Sequence, residues 1–131
     1  MKLLLDTHVL AWWLADNPRL AGGARARIAH PATQVLVSAA SAWEMAIKHE
    51  AGRWPEAARM LDRWDALLAE AGFAALAVTA AHGMRAARWD WAHRDPFDRL
   101  LAAQSMLEGA ALVTADPLLL ELMPDAVNAA D

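Results

Sequence analysis

The sequence Leu3-Leu4-Leu5-Asp6-Thr7-His8 is a short apolar run that ends on a carboxylate. The three leucines predict a buried strand, and Asp6 would lie at the carboxyl end of that strand. Open parallel α/β sheets bind their ligands at this edge. We therefore take Asp6 as the reference point for the other candidate functional residues.

The composition favours one compact domain spanning residues 1–131. The chain is 57% hydrophobic, and a domain of this size can bury roughly two-thirds of its unfolded surface. The absence of cysteine excludes a disulfide framework, a thiolate metal site and a cysteine nucleophile, and it fits a reducing, cytoplasmic compartment. The net charge of −4 argues against non-specific coating of nucleic acid. Charges and prolines interrupt every apolar segment, so we expect neither a signal peptide nor a membrane span.

Strands and helices alternate along the chain. Short apolar or β-branched runs predict strands at residues 3–5, 34–38, 74–78 and 110–114. Periodic segments with caps predict helices at residues 7–15, 20–28, 41–50, 55–72, 79–88 and 95–108, and a short helix from 117. Residues 89–94 show no period and are expected to form a loop. This alternation implies a parallel sheet with helices on both faces.

Carboxylates stand at strand ends or in first helical turns at four places: Asp6, Glu44, the pair Asp95 and Asp98, and Asp116. Right-handed crossovers bring the carboxyl ends of parallel strands to one edge, so we expect these acids to converge. Gathered carboxylates raise each other's pKa, and a divalent cation would neutralise them. Oxygen ligands without cysteine favour Mg²⁺ or Mn²⁺ over Zn²⁺. The pattern therefore predicts metal-dependent phosphodiester chemistry.

Most of these acids also have a structural explanation. Ser41 and Glu44 fit a capping box, and Glu44 precedes Lys48 by four residues, which suits a helical ion pair. Asp95, Asp98 and Asp116 fit helix caps or first-turn positions. The histidines lack zinc-ligand spacing, and we expect His8 and His93 to support the acids rather than to bind the metal.

Four segments, Leu3–His8, Val37–Met45, His93–Gln104 and Leu112–Asp116, stand in a distinctive order and spacing. In both respects the chain resembles PIN-domain ribonucleases, and more narrowly the VapC toxins of bacterial type II toxin-antitoxin systems. The resemblance implies a three-layer α/β/α PIN domain with a central parallel sheet. It also implies an acidic pocket that holds Mg²⁺ or Mn²⁺ and hydrolyses single-stranded or loop RNA.

The resemblance further implies roles for individual residues. It marks four acids as catalytic, three of these acids as metal ligands, and three other residues as auxiliary. The catalytic acids are Asp6, Glu44, Asp98 and Asp116, the metal ligands are Asp6, Asp98 and Asp116, and the auxiliary residues are Asp95, Thr7 and Thr114.

Cations and aromatic residues alternate just before Asp98 in the sequence. Such groups contact phosphates and stack on unpaired bases, although tryptophans can equally anchor a loop to the core. The candidates for RNA binding are Arg85, Arg88, Trp89, Trp91 and Arg94, with Lys48, Arg53 and Trp54 as a weaker second group.

Trp12, Trp13, Trp43 and Trp54 predict either an interface or a tryptophan-rich core. The resemblance favours a homodimer and a cognate VapB-type antitoxin that covers the helices and inserts a basic side chain into the acidic pocket. The alternative is a non-catalytic PIN-type module that binds RNA or protein. The complete set of acids argues against this alternative, and a metal-dependent cleavage assay would decide between them.

Overall fold

The computed structural model describes residues 1–131, and its centre is a sheet of five parallel strands. The strands are β1 (Lys2–Leu5), β2 (Gln34–Ser38), β3 (Ala74–Leu76), β4 (Ala111–Thr114) and β5 (Val127–Asn128). Their order across the sheet is β3-β2-β1-β4-β5. The predicted central parallel sheet is confirmed, and β1 lies in its middle.

Eight helices cover the sheet. They are α1 (Thr7–Leu14), α2 (Gly22–Ala29), α3 (Ala39–Glu50), α4 (Ala57–Asp62), α5 (Trp64–Ala71), α6 (Ala80–Arg88), α7 (Pro96–Glu108) and α8 (Pro117–Leu122). None of them is both long enough and apolar enough to cross a membrane.

The apolar core has one part on each face of the sheet. Successive strand residues point to opposite faces, so Leu3 and Leu5 pack with α1, α2 and α5 on one side. Leu4 packs with α7 and α8 on the other. Because helices cover both faces, β1 is a continuous leucine run rather than an alternating one. The arrangement is the expected three-layer α/β/α fold.

The helix predicted over residues 55–72 is two helices, which is a correction to the sequence analysis. Arg63 separates α4 from α5 with φ −122° and ψ 27°. Ala57 of α4 packs with Met45 in a small separate cluster, whereas Leu68 of α5 packs on the main core. Because the apolar residues of this segment pack against two different surfaces, one straight helix could not bury all of them. Strand β5 was also missed, since two residues are too short for a recognisable pattern.

Candidate active site

The acids converge at the carboxyl-terminal edge of the sheet. Asp6 directly follows β1, Asp116 follows β4, Asp95 and Asp98 lie at the start of α7, and Glu44 lies on α3. All five line one cavity of about 390 Å³. The crossovers of the parallel sheet thus bring together acids that are far apart in the sequence.

Asp6 lines this cavity and is 9% exposed. Its Oδ1 accepts a hydrogen bond of 2.7 Å from the backbone N–H of Thr7 and so caps α1. Its Oδ2 accepts a bond of 2.7 Å from Thr114 Oγ1. Burial raises the pKa of Asp6 above its ordinary value, although these donors oppose the shift. A carboxylate fixed and desolvated in this way favours a cation beside it.

Glu44 lies on the inner face of α3 and is 4% exposed. Its Oε1 accepts a bond of 2.7 Å from Thr7 Oγ1, and its Oε2 accepts one of 2.7 Å from Lys48 Nζ. The predicted ion pair with Lys48 is therefore present. The capping box of Ser41 and Glu44 is wrong, because Ser38 caps the helix and both residues lie inside it.

Asp98 lines the cavity and is paired with His93. Its Oδ2 lies 2.6 Å from His93 Nε2. Burial, together with the charges of Asp6 and Asp95, raises the pKa of Asp98 to about 6 against the opposing effect of His93. Potential ligand atoms of His93, Asp98 and Asp116 lie within 4.8 Å of one another. The histidine predicted only to support the acids therefore lies among the donor atoms.

Asp95 and Asp116 also cap helices, as their sequence positions predict. Asp95 Oδ1 accepts from the backbone N–H groups of Phe97 and Asp98, at 2.9 and 3.3 Å. Asp116 Oδ1 accepts from the N–H of Leu118 at 2.9 Å. Each cap occupies a single carboxylate oxygen in these contacts, so capping and cation binding are compatible at both positions.

Arg99 holds the loop that contains His93. Its guanidinium donates to the carbonyl oxygens of Ala86 at 2.8 Å, Trp91 at 2.9 Å and His93 at 3.1 Å, and also to that of Trp89. The rings of Trp89 and Trp91 stack with their centroids 4.4 Å apart. Sequence reasoning missed Arg99, because its partners are carbonyls of a loop without periodicity.

We expect Arg99→Lys to lower the free energy of unfolding by about 1–3 kcal/mol, because an ammonium lacks the planar fork that reaches several carbonyls at once. Hydrogen exchange should also become faster at the amides of residues 89–93. Chemical denaturation and exchange mass spectrometry measure the two effects. The exposed Arg88, changed to lysine, is the matched control. Equal stability and exchange in both variants would contradict the role of Arg99.

The basic segment before Asp98 lies outside the acidic cavity. Arg85 and Trp89 line a different cavity beside Met1, at the amino-terminal edge of the sheet. Trp91 and Arg94 line a third cavity. Both tryptophans pack against the core on the α7 side, as in the anchoring alternative. RNA contact through this segment remains a prediction that rests on three exposed cations, Arg85, Arg88 and Arg94.

The second candidate group lies next to the acids. Lys48, Arg53 and Trp54 line a groove of about 630 Å³, and Lys48, His8 and Trp12 belong both to this groove and to the acidic cavity. The rings of His8 and Trp54 stack with centroids 4.8 Å apart and an interplanar angle of 12°. We name these groove-lining residues the His8–Trp54 groove.

Comparisons with known proteins agree with the fold. Residues 3–122 match the family model described as PIN domain. The chain is similar to VapBC2 from Rickettsia felis, solved bound to a DNA fragment from its promoter, with TM-score 0.68 and 14% identity over 97% of this chain and 96% of that chain. It is also similar to a toxin-antitoxin complex from Klebsiella pneumoniae, with TM-score 0.67, 18% identity and 96% of each chain covered. No curated protein sequence matches it.

Proposed function

This chain belongs to the PIN domain family, and on that premise we propose that it is a metal-dependent endoribonuclease acting as the VapC-type toxin of a toxin-antitoxin pair. The observation that supports this most is the convergence of Asp6, Glu44, Asp98 and Asp116 in one cavity. Structural requirements alone do not explain such a cluster, because uncompensated carboxylates repel one another. A polyanionic substrate could approach it only with a cation present.

The donor set fits Mg²⁺ or Mn²⁺. The cavity offers carboxylate oxygens and no thiolate, which suits hard divalent ions. Among its acids, only Glu44 pairs with a lysine or arginine, so the charges of Asp6, Asp98 and Asp116 are available to a cation. These three aspartates would hold the ion.

The chain's own residues prepare the site for hydrolysis. A divalent ion, when bound, supplies a more acidic attacking water and neutralises charge that develops on the phosphate. Thr114 and the Thr7 amide fix the orientation of the Asp6 carboxylate. Glu44, fixed by Thr7 and Lys48, completes the pocket and orients the attacking water. Hydrolysis of this kind would leave a 5′-phosphate and a 3′-hydroxyl.

We place the RNA strand in the His8–Trp54 groove. Aromatic faces stack on unpaired bases, and Arg53 and Lys48 supply cations for phosphates beside the acidic cavity. The chain as a whole is acidic, so attraction to RNA must be local, and binding should weaken as salt rises.

We expect Trp54→Ala to weaken binding of single-stranded RNA by about 5- to 150-fold, since stacking contributes about 1–3 kcal/mol per base. Fluorescence anisotropy with EDTA present measures affinity without cleavage. Met84→Ala is the control, because Met84 is 50% exposed and lies outside the groove. Similar losses of RNA affinity in both variants would contradict RNA binding in the groove.

A cognate VapB-type antitoxin would neutralise the enzyme in the cytoplasm by placing a basic side chain in the acidic cavity. The two similar structures are toxin-antitoxin complexes, and the charge of the cavity suits such a partner. Trp12 and Trp13 pack partly on the core, while Trp43 and Ile47 are exposed one helical turn apart on α3. This exposed pair is the surface through which we propose homodimer formation.

Cleavage of a mixed pool of tRNA and ribosomal RNA by the partner-free protein tests the function. We expect discrete products that require Mn²⁺ or Mg²⁺ and disappear with EDTA. A folded protein that binds metal and RNA but cuts nothing in the pool would instead favour the non-catalytic binding module.

A further inference from the structure

The side chain of His93 lies close enough to the acids to bind the same metal ion as they do. Its Nε2 is 2.6 Å from Asp98 Oδ2, and ligand atoms of His93, Asp98 and Asp116 all lie within 4.8 Å of one another. In an octahedral site with bonds of about 2.1 Å, adjacent donor atoms are about 3 Å apart and opposite ones about 4 Å. The three side chains are therefore close to the spacing that one ion requires.

The position of His93 is fixed by the loop that contains it. Arg99 donates to the carbonyl oxygen of His93 itself at 3.1 Å and to those of Trp89 and Trp91 in the same loop. The ring of Trp91 packs edge-on against the imidazole, with centroids 5.1 Å apart. Ligands held in place before the metal arrives lose little conformational freedom on binding it.

Two other histidines are less well placed to bind the ion. His8 also lines the acidic cavity, but its ring stacks on Trp54, and it is not part of the group of clustered ligand atoms. His82 is buried and bonded to Glu108 at 2.9 Å. Of these three histidines, His93 is the one whose ring nitrogen lies among the clustered acid oxygens.

We propose that His93 contributes a nitrogen ligand to the divalent ion, together with Asp98 and Asp116, and that it makes the site prefer Mn²⁺ to Mg²⁺. The inference rests on the proposed metal-dependent function and specifies the ion. Mg²⁺ is a hard ion that prefers oxygen donors, whereas an imidazole nitrogen favours first-row transition ions. A site made of carboxylates alone would have no nitrogen donor to favour Mn²⁺ over Mg²⁺.

Electron spin-echo envelope modulation of the Mn²⁺-loaded protein tests the inference directly, because it detects nitrogen bound to the ion. We expect nitrogen modulation in the unaltered chain, changed by selective ¹⁵N-histidine labelling, and lost in His93→Gln while Mn²⁺ still binds. His8→Gln, the control at the histidine that lines the acidic cavity, should keep the signal. Labelling the unaltered chain makes the result independent of how well a variant folds.

Competition calorimetry provides a second measurement. The ratio of the Mn²⁺ to the Mg²⁺ association constant should fall by about tenfold in His93→Gln. Substitutions around a bound metal typically change its affinity by about this factor. Absence of nitrogen modulation from the unaltered protein, or its persistence in His93→Gln, would overturn the inference. Mn²⁺ bound by oxygen alone would leave the nuclease proposal standing. Failure to bind any divalent ion would overturn both.

Discussion

Asp6→Asn is expected to reduce metal-dependent RNA cleavage by about a hundred- to a thousandfold. The change keeps the size of the side chain but removes the charge from the acid at the centre of the cavity. It also places an amide where one oxygen now accepts from Thr114 and the other from the Thr7 backbone. Both cation binding and carboxylate orientation should therefore be impaired. Initial rates of cleavage with Mn²⁺ measure the effect.

The same substitution should not destabilise the metal-free protein. Burial disfavours the charged form of Asp6, and a neutral side chain avoids this cost and the repulsion from its acidic neighbours. Urea unfolding should show equal or greater stability, as is common when a functional charge is removed. Asp125→Asn, at an exposed acid outside the cavity, is the matched control. Full activity in a folded Asp6→Asn protein would mean that Asp6 does not bind the metal.

The ionisation of Asp98 is expected to make the metal-free protein less stable near pH 7.5 than near pH 5. Its pKa rises from 3.8 to about 6 in the folded chain. Between these values the folded state keeps a proton that the unfolded state has lost, so the free energy of unfolding falls as pH rises. At about 1.4 kcal/mol per pKa unit, the loss between pH 5 and pH 7.5 is about 1.4 kcal/mol, because only about one unit of this window lies below the folded pKa. Urea unfolding at the two pH values measures it.

A divalent ion should reverse this dependence. The ion binds the deprotonated acids of the folded state, and at a concentration a hundred times its dissociation constant it adds about 2.7 kcal/mol of stability. Its affinity, and hence this stabilisation, should grow as Asp98 loses its proton. Asp98→Asn is the control and should remove the part of the pH dependence that Asp98 contributes, while the part due to Asp6 remains. A wild-type protein whose stability rises from pH 5 to pH 7.5 without metal would contradict this prediction.

Much of the architecture was predictable because short-range patterns determine it. The leucine run of β1 and the apolar β2 and β4 mark the centre of the sheet, and proline after Asp95 and Asp116 marks two helix starts. With the rule for right-handed crossovers, these patterns were enough to bring distant acids to one edge. The roles assigned to those acids remain predictions until the variants are measured.

Other features could not be predicted, because they depend on contacts that exist only in the folded chain. The cap of α3 is Ser38 rather than Ser41 because strand β2 leads directly into the helix. The segment of residues 55–72 breaks at Arg63 because its two halves cover different parts of the core. The break at Arg63 depends on contacts with residues distant in the sequence, which local periodicity does not reveal.

The sequence by itself determined the layers of this protein and the edge at which its acids meet, since strand hydrophobicity, helix caps and crossover handedness are local or general rules. Only the tertiary structure decided the environment of those acids. It placed His93 beside Asp98 through the carbonyl contacts of Arg99, and it put the His8–Trp54 groove, rather than residues 85–94, next to the cavity. Loops without periodicity are positioned by side-chain contacts that form only when the chain has folded.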